Sequence, residues 1–235
     1  MLSNNFVALV LTFIAAITWL RLNDFAAHRG WISSHLSRKI IHIGTGPIFV
    51  LCWLLFNETT YARYLAALVP GLITVQFFLV GIGLIKDESA VKALSRTGDR
   101  REILRGPLFY GIIFVVLTVI YWKDSPIGMV ALMLMCGGDG MADIIGRRFG
   151  KRKLPWSANK SWMGSLAMFL GGLSLSIGIL YIYLEAGVFA GSMNNYLLSL
   201  ILIALAGTIV EALPIKDWDN ITVTLTAVIF GHMFL

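Results

Sequence analysis

The stretch Ile127-Gly-Met-Val-Ala-Leu-Met-Leu-Met-Cys-Gly-Gly-Asp139-Gly-Met-Ala-Asp143-Ile-Ile145 decides how this chain folds. Its first dozen residues carry no charge, and it then admits two carboxylates four positions apart. Four positions is one helical turn, so a helix puts both acids on one face, with Arg147 a further turn along. A carboxylate inside a membrane span costs about 2.5–3.5 kcal/mol on the insertion scale, so a pair there is expected to have a use.

The rest of the chain puts that run in a bilayer. Of 235 residues, 57% are hydrophobic before the 23 glycines are counted and 14% are charged, with a mean hydropathy of +0.79. Soluble domains are about 45–50% apolar with glycine included and about 25% charged. The composition implies an all-α polytopic membrane protein. It excludes a disordered chain, a disulfide scaffold and an ordinary soluble enzyme. Cys52 and Cys136 sit in apolar runs without CxxC or Cys/His spacing, which leaves no zinc or redox motif. The net charge of +6 lies in short loops between apolar runs, without the basic face that nucleic acid requires, so no nucleic-acid partner is expected.

A helix needs about 20 largely apolar residues to cross a bilayer core about 30 Å thick. Eight stretches are expected to do so: Phe6–Leu22, Ile40–Phe56, Tyr64–Ile85, Pro107–Trp122, Ile127–Ile145, Trp162–Leu184, Tyr196–Leu213 and Ile221–Leu235. Met1–Asn5 carries no Lys or Arg, so the first stretch reads as a retained span rather than a signal peptide. The last is rich in Thr and Val, but a lone strand in lipid would leave its backbone unpaired, which favours helix. If the eight alternate, 17 of the 19 Lys and Arg fall on one side and only Arg63 and Lys123 on the other. The positive-inside rule makes the rich side cytosolic and puts both termini outside. With no soluble appendage or internal repeat, residues 1–235 read as one membrane domain, whose site must be built from helix ends and short loops.

The chemistry concentrates around Asp139 and Asp143. Paired carboxylates suit Mg²⁺, a hard cation that bridges one or two acids to substrate phosphates. Gly138 and Gly140 permit close backbone approach, and Arg147, Arg148, Lys151, Arg152, Lys153 and Lys160 place six positive charges within 14 residues. Metal-bridged polyphosphate beside Lys and Arg is the logic of phosphoryl transfer. The glycines equally suit helix packing, and the basic run equally suits the positive-inside rule. There is no Walker A motif and no GxGxxG, and Gly81-Ile-Gly83 does not supply one.

Three further groups fall on the same side. Arg38 and His42 stand one turn apart at the start of the second stretch, beside Lys39, where they are candidates for phosphate or alcohol; Arg38 and Lys39 read equally as interface anchors. Glu211 lies inside the seventh stretch and wants a metal or cationic partner. Asp219 and Asn220 open the eighth, where Asp219 could simply cap the helix. The segment from Ser95 to Tyr110 mixes both signs and reads as a solvated loop. Glu185 and His232 lie toward the outer side and read as structural.

Taken together, Arg38-Lys39 with His42, Arg96-Thr-Gly98 through Leu104-Arg105-Gly106-Pro107-Leu108, Gly138-Asp139-Gly140-Met-Ala142-Asp143 through Gly150, Asn159-Lys160-Ser161 with Gly164-Ser165, and Glu211 with Pro214 and Asp219-Asn220 resemble the phytol kinase branch of the polyprenol and dolichol kinase family. The resemblance runs from Ser37 to Thr224. The Leu104–Tyr110 piece points to phytol kinases rather than dolichol kinases. Where the family has paired acids before the Asn, this chain reads Asp217-Trp218-Asp219-Asn220.

The resemblance implies transfer of the terminal phosphate of CTP or UTP to an isoprenoid alcohol such as phytol, feeding tocopherol and prenyl-lipid synthesis. On this view Asp139 and Asp143 hold Mg²⁺, Lys160 and Arg147 neutralise the transferred group, and Glu211 or Asp219 accepts the alcohol proton. Arg38, Lys39, His42, Gly138, Gly140, Arg147, Arg148, Ser161 and Asn220 would hold nucleotide phosphate. A lipid-phosphate cytidylyltransferase and a small transporter are the alternatives. With no transit peptide visible, the expected setting is the plasma or thylakoid membrane of a photosynthetic prokaryote. The oligomeric state is not legible.

Overall fold

A computed structural model describes residues 4–95, 97–215 and 218–235; Arg96, Lys216 and Asp217 lie outside them. Among the described residues ten α-helices follow one another: α1 (Asn5–His28), α2 (Ser34–Trp53), α3 (Ala62–Ile82), α4 (Glu88–Leu94), α5 (Gly106–Ile120), α6 (Pro126–Met133), α7 (Asp139–Phe149), α8 (Trp162–Glu185), α9 (Met193–Glu211) and α10 (Asp219–Phe234). A π-helical turn, Leu134–Gly138, joins α6 to α7 without a break. Each of the eight predicted stretches falls on helix. Six helices, counting Pro126–Phe149 as one and Arg100–Ile120 as another, are long and apolar enough to cross a membrane. The expected eight is thus supported for six. The other two fall short for visible reasons: α2 opens on the polar turn around Arg38 and Lys39, and α10, with 16 residues, rises only about 24 Å.

The α6–α7 rod is the centre of the bundle. Every residue from Pro126 to Gly138 is buried, so this segment is apolar all round, as a helix enclosed by other helices must be. α2, α5, α8 and α10 surround it, α9 touches it where Gly207 meets Leu134, and α1 and α3 pack outside. The helices around the rod turn large apolar side chains outward, among them Phe6, Ile14, Leu72, Phe78, Leu170, Leu198 and Ile229. A contiguous surface of that kind is suited to lipid rather than water.

Small residues set how closely the rod is gripped. A Cβ on Gly140 would stand 2.2 Å from Cγ1 of Ile43 on α2, and one on Gly138 would stand 2.6 Å from Sδ of Met168 on α8. Gly164 brings α8 against the backbone of Ala142 and Gly146. Helices in lipid lack a hydrophobic drive to associate and rely on such close contact.

Three features depart from the sequence reading. The segment from Ser95 to Tyr110 is not a simple solvated loop: it makes a 3₁₀ turn, Arg100–Leu104, whose Ile103 is fully buried, and it then opens α5 at Gly106. The basic segment after α7 makes an antiparallel hairpin of β1 (Lys153–Leu154) and β2 (Ser157–Ser161), with Pro155 and Trp156 at its tip. The fifth stretch runs four residues past Ile145, to Phe149, which keeps Arg147 on the helix.

At the sparsely charged end, both cations are tied down. Lys123, 5% exposed, donates to the Phe56 carbonyl at 3.0 Å and to Glu58 at 2.8 Å. Arg63 pairs with Asp124 and donates to the Val119 carbonyl. His232 meets the Tyr121 hydroxyl at 2.9 Å, in keeping with a structural role.

Helix approach at Gly140 gives a paired prediction. Gly140→Ala should destabilise the protein by about 1–3 kcal/mol, because the new methyl overpacks against Ile43. Gly178→Ala adds a methyl where nothing lies within 4 Å and should be neutral or slightly stabilising. Thermal unfolding in detergent, followed by circular dichroism, would compare them; equal midpoints would contradict the packing assignment.

Candidate active site

The polar residues singled out in the sequence gather at one end of the bundle, in two neighbouring clusters. The first joins α2 to α7. Ser33 caps α2 by accepting from the Leu36 amide at 3.2 Å, and the helix then presents His35, Lys39 and His42 along one face, at the i, i+4, i+7 spacing of a helical stripe. Lys39 Nζ lies 3.5 Å from Asp139 and 3.8 Å from Asp143. His42 Nε2 lies 3.5 Å from Asp139 and 3.2 Å from the Met135 carbonyl. On α7 itself, Arg147 Nε bonds Asp143 Oδ1 at 2.8 Å, the one-turn spacing expected.

The π turn immediately before Asp139 widens the helix by one residue per turn, and such turns concentrate at functional sites. Here it accompanies the Met135 carbonyl that His42 meets. Tyr110 on α5 braces the same spot: its hydroxyl donates to the His42 carbonyl at 2.9 Å and lies 3.2 Å from Cys136 Sγ, with its ring 4.5 Å from the imidazole.

The second cluster is centred on Lys160, at the end of β2. Its ammonium pairs with Glu211, at the end of α9, and lies 3.2 Å from Asp219 Oδ2, at the start of α10. The Glu211 side chain is 5% exposed and that of Asp219 29%. A lone buried carboxylate must find a cation, and Glu211 finds one 51 residues away in sequence. The hairpin delivers it, and Trp156 at the tip fastens the hairpin to α9 by donating to the Ala212 carbonyl at 2.8 Å. Asp139 lies within electrostatic reach of Lys160, and Glu211 and Asp219 within reach of Asp139, so the two clusters form one charged centre.

Other predicted residues are engaged elsewhere. Arg38 donates to the Ser95 carbonyl at 3.3 Å, toward the end of α4. Arg148 lies over the Phe149 ring, on the exposed side of α7. Ser161 caps α8, accepting from the Gly164 amide at 3.1 Å. Asn220 reaches the Gly106 carbonyl at 3.5 Å. Gly138 and Gly140 spend their missing side chains on Met168 and Ile43. Asp217, the other acid of the 217–220 segment, lies outside the described residues.

Two participants escaped the sequence reading. His35 Nε2 lies 3.2 Å from Asp143 Oδ2, yet off hydrogen-bonding geometry, so both atoms are buried without a hydrogen-bond partner. Its spacing from Lys39 and His42 was the available signal. Tyr110 enters the sequence reading only as the end of the Leu104–Tyr110 piece, and it shares its apolar run with the hydroxyls of Thr118 and Tyr121, so nothing local singles it out.

Among the described residues, no group of three or more His, Cys, Asp or Glu side chains could hold a metal ion alone. Mg²⁺ does not require one, since it commonly takes one or two carboxylates and completes its shell with phosphate and water. Asp139 and Asp143 supply hard oxygens of that kind, and the Asp143 Oδ2 that lacks a hydrogen-bond partner fits the ion.

Lys160 gives the second prediction. Burial lowers its pKa, but the Glu211 and Asp219 carboxylates outweigh burial and raise it above the ordinary 10.5. The stabilisation it contributes is complete below that ordinary value and is lost as pH rises through the higher folded-state value. Lys160→Met should cost about 3–5 kcal/mol by stranding Glu211, and Lys160→Met with Glu211→Gln should recover part of it. Thermal midpoints across alkaline pH would show the loss in the unaltered protein and not in Lys160→Met; identical pH profiles would contradict the pairing.

No protein-family model matches the chain, and no solved structure is significantly similar to it. Curated relatives are plentiful. The chain is 42% identical over 224 residues to "Probable phytol kinase 3, chloroplastic" of Glycine max, covering 94% of this chain and 70% of that one. It is 42% identical over 228 residues to "Probable phytol kinase, chloroplastic" of Triticum aestivum, covering 96% and 76%. It is 40% identical over 224 residues to "Farnesol kinase, chloroplastic" of Arabidopsis thaliana, covering 94% and 73%. These relatives are chloroplastic plant enzymes, which overturns the expectation of a prokaryotic membrane; hydropathy identifies a lipid phase but not the compartment that holds it. At this identity and coverage the chain belongs to the phytol kinase branch of the isoprenoid-alcohol kinases, a family of phosphotransferases with an alcohol acceptor.

Proposed function

We propose that the protein transfers the terminal phosphate of CTP or UTP to phytol or a closely related isoprenoid alcohol, at the positively charged face of the membrane. The observation that carries this is the joining of two buried charge clusters, Lys39–Asp139–Asp143 and Lys160–Glu211–Asp219, at one end of an apolar bundle. On this reading residues 1–235 work as one membrane-embedded unit with eight spans, and the site face receives 17 of the 19 Lys and Arg.

Asp139 and Asp143 would hold Mg²⁺, which when bound offsets charge on the triphosphate. Lys39 and His42 orient the two carboxylates, and Arg147 fixes the free rotation of Asp143. Lys160, already held between two acids, is pre-set to face the negative charge that spreads over the transferred group. Glu211 positions that lysine. Asp219 is the more open acid and accepts the proton of the alcohol hydroxyl. The alcohol arrives sideways from the lipid with its hydroxyl at the interface, and the phosphorylated product feeds prenyl-lipid synthesis such as that of tocopherol.

The buried, uncharged rod Pro126–Gly138 argues against transport, which places polar groups near the bilayer midplane. Products separate the kinase from a cytidylyltransferase. Purified protein given CTP, UTP or ATP with Mg²⁺ should release nucleoside diphosphate and phytyl phosphate only when phytol is present; pyrophosphate release would move the assignment to cytidylyl transfer. Asp139→Asn should lower turnover by roughly a hundredfold or more while the protein still folds, and near-normal turnover would refute its metal role.

A further inference from the structure

α9 and α10 form an antiparallel pair that is fastened at both ends. At the charged end, Lys160 bridges Glu211 on α9 and Asp219 on α10. At the opposite end, the Ser199 hydroxyl on α9 donates to the Phe234 carbonyl on α10 at 2.7 Å. The two helices pack closely, and their side chains leave a groove of about 270 Å³ on the outer surface of the bundle.

One wall is the α9 stripe Leu202, Leu205 and Ile209, and the other is the α10 stripe Thr226, Phe230 and Phe234. The spacings are i, i+3, i+7 and i, i+4, i+8, so each wall is one continuous helix face. Thr226 brings the lone side-chain polar atom among these six, and its hydroxyl is already spent on the Thr222 carbonyl at 2.8 Å. Nothing in the groove can recognise a polar ligand. Continued one turn past Thr226 toward the charged end, the α10 stripe reaches Thr222, whose hydroxyl bonds the carbonyls of Trp218 and Asp219. The groove therefore lies along the same two helices whose facing ends hold the acids.

We infer that this groove between α9 and α10 seats the hydrocarbon chain of the isoprenoid alcohol, with the hydroxyl end toward Asp219 and the chain running toward Phe234. The inference rests on the kinase reading and adds to it the place that measures the acceptor. Transfer of a chain from lipid into the groove gains nothing from the hydrophobic effect, because lipid tails are as apolar as Leu. Selection must come from packing, where each pair of well-placed atoms adds a little and a misplaced branch loses it. A groove walled by branched aliphatic side chains on one helix and aromatic rings on the other suits a methyl-branched chain better than a straight acyl chain, which would leave gaps between the walls.

The test is chain-length selectivity. Leu202 lies at the far end of the groove, about two and a half turns before Glu211 on α9 and outside the charged centre. Leu202→Trp should lower kcat/KM for phytol about tenfold while leaving that for the shorter farnesol unchanged. An equal loss for both alcohols, or none for either, would overturn the inference. A photoactivatable phytol carrying a diazirine near its tail provides a second measurement that does not depend on turnover. Crosslinks on the groove stripes of α9 and α10, displaced by phytol but not by a straight-chain alcohol, are the expected result. Crosslinks confined to other helices would overturn it. If the unaltered protein phosphorylates neither alcohol, the kinase reading fails, and the crosslinking positions still decide the groove.

Discussion

Charge that is buried must be paired, and this requirement organises the molecule. In a bundle made mostly of Leu, Ile, Val, Phe and Ala, four carboxylates and two lysines are drawn into one end, where the effective dielectric is low and an unpaired ion is very costly. The pairs Lys39–Asp139 and Lys160–Glu211 answer that cost by joining elements far apart in sequence. α2 is clamped to α7, and α9 and α10 are clamped to the hairpin. The same pairs that make the fold tolerable also concentrate both signs of charge where a triphosphate and a hydroxyl must meet.

That arrangement joins stability to chemistry at the same residues. Lys160 cannot be optimised for phosphate alone, because Glu211 depends on it. Asp143 is constrained less completely: Arg147 and Lys39 hold it, yet one of its oxygens stays without a hydrogen bond. A site that satisfied every such atom internally would have nothing left to offer a substrate, so incomplete satisfaction is what a binding centre is expected to show.

Much of this was legible in the sequence because hydropathy is a one-dimensional signal. The eight stretches were found from runs of apolar residues, and Asp139, Asp143, Arg147 and Glu211 stood out as charges in or beside such runs. Glu211 even announced its need for a cation, although nothing local named Lys160 as the partner. What stayed hidden depended on three-dimensional placement. The π turn has the composition Leu-Met-Cys-Gly-Gly, which reads equally well as ordinary helix. β1 is two residues long and has no periodicity to detect. Arg38 and Ser161 are phosphate-ligand candidates by type, and nothing in the sequence shows that the one reaches the Ser95 carbonyl or that the other accepts from the Gly164 amide. Gly138 and Gly140 left both readings open, and helix contact is the one the structure displays. The compartment was misjudged, since a transmembrane pattern is the same in any bilayer.

The π turn at Leu134–Gly138 also sets the rotational phase of the central rod. Ordinary helix advances about 100° per residue, and the widened turn absorbs one extra residue without interrupting the backbone. Remove a residue from the regular helix of α6 instead, where no widened turn takes up the change, and everything beyond it rotates by about that angle relative to the surrounding helices. Asp139 and Asp143 would then turn away from Lys39, and Gly140 away from Ile43. The segment is therefore fixed in length as firmly as in composition. Side chains along this rod can drift among apolar types, whereas its residue count is bound to the direction in which the acids point.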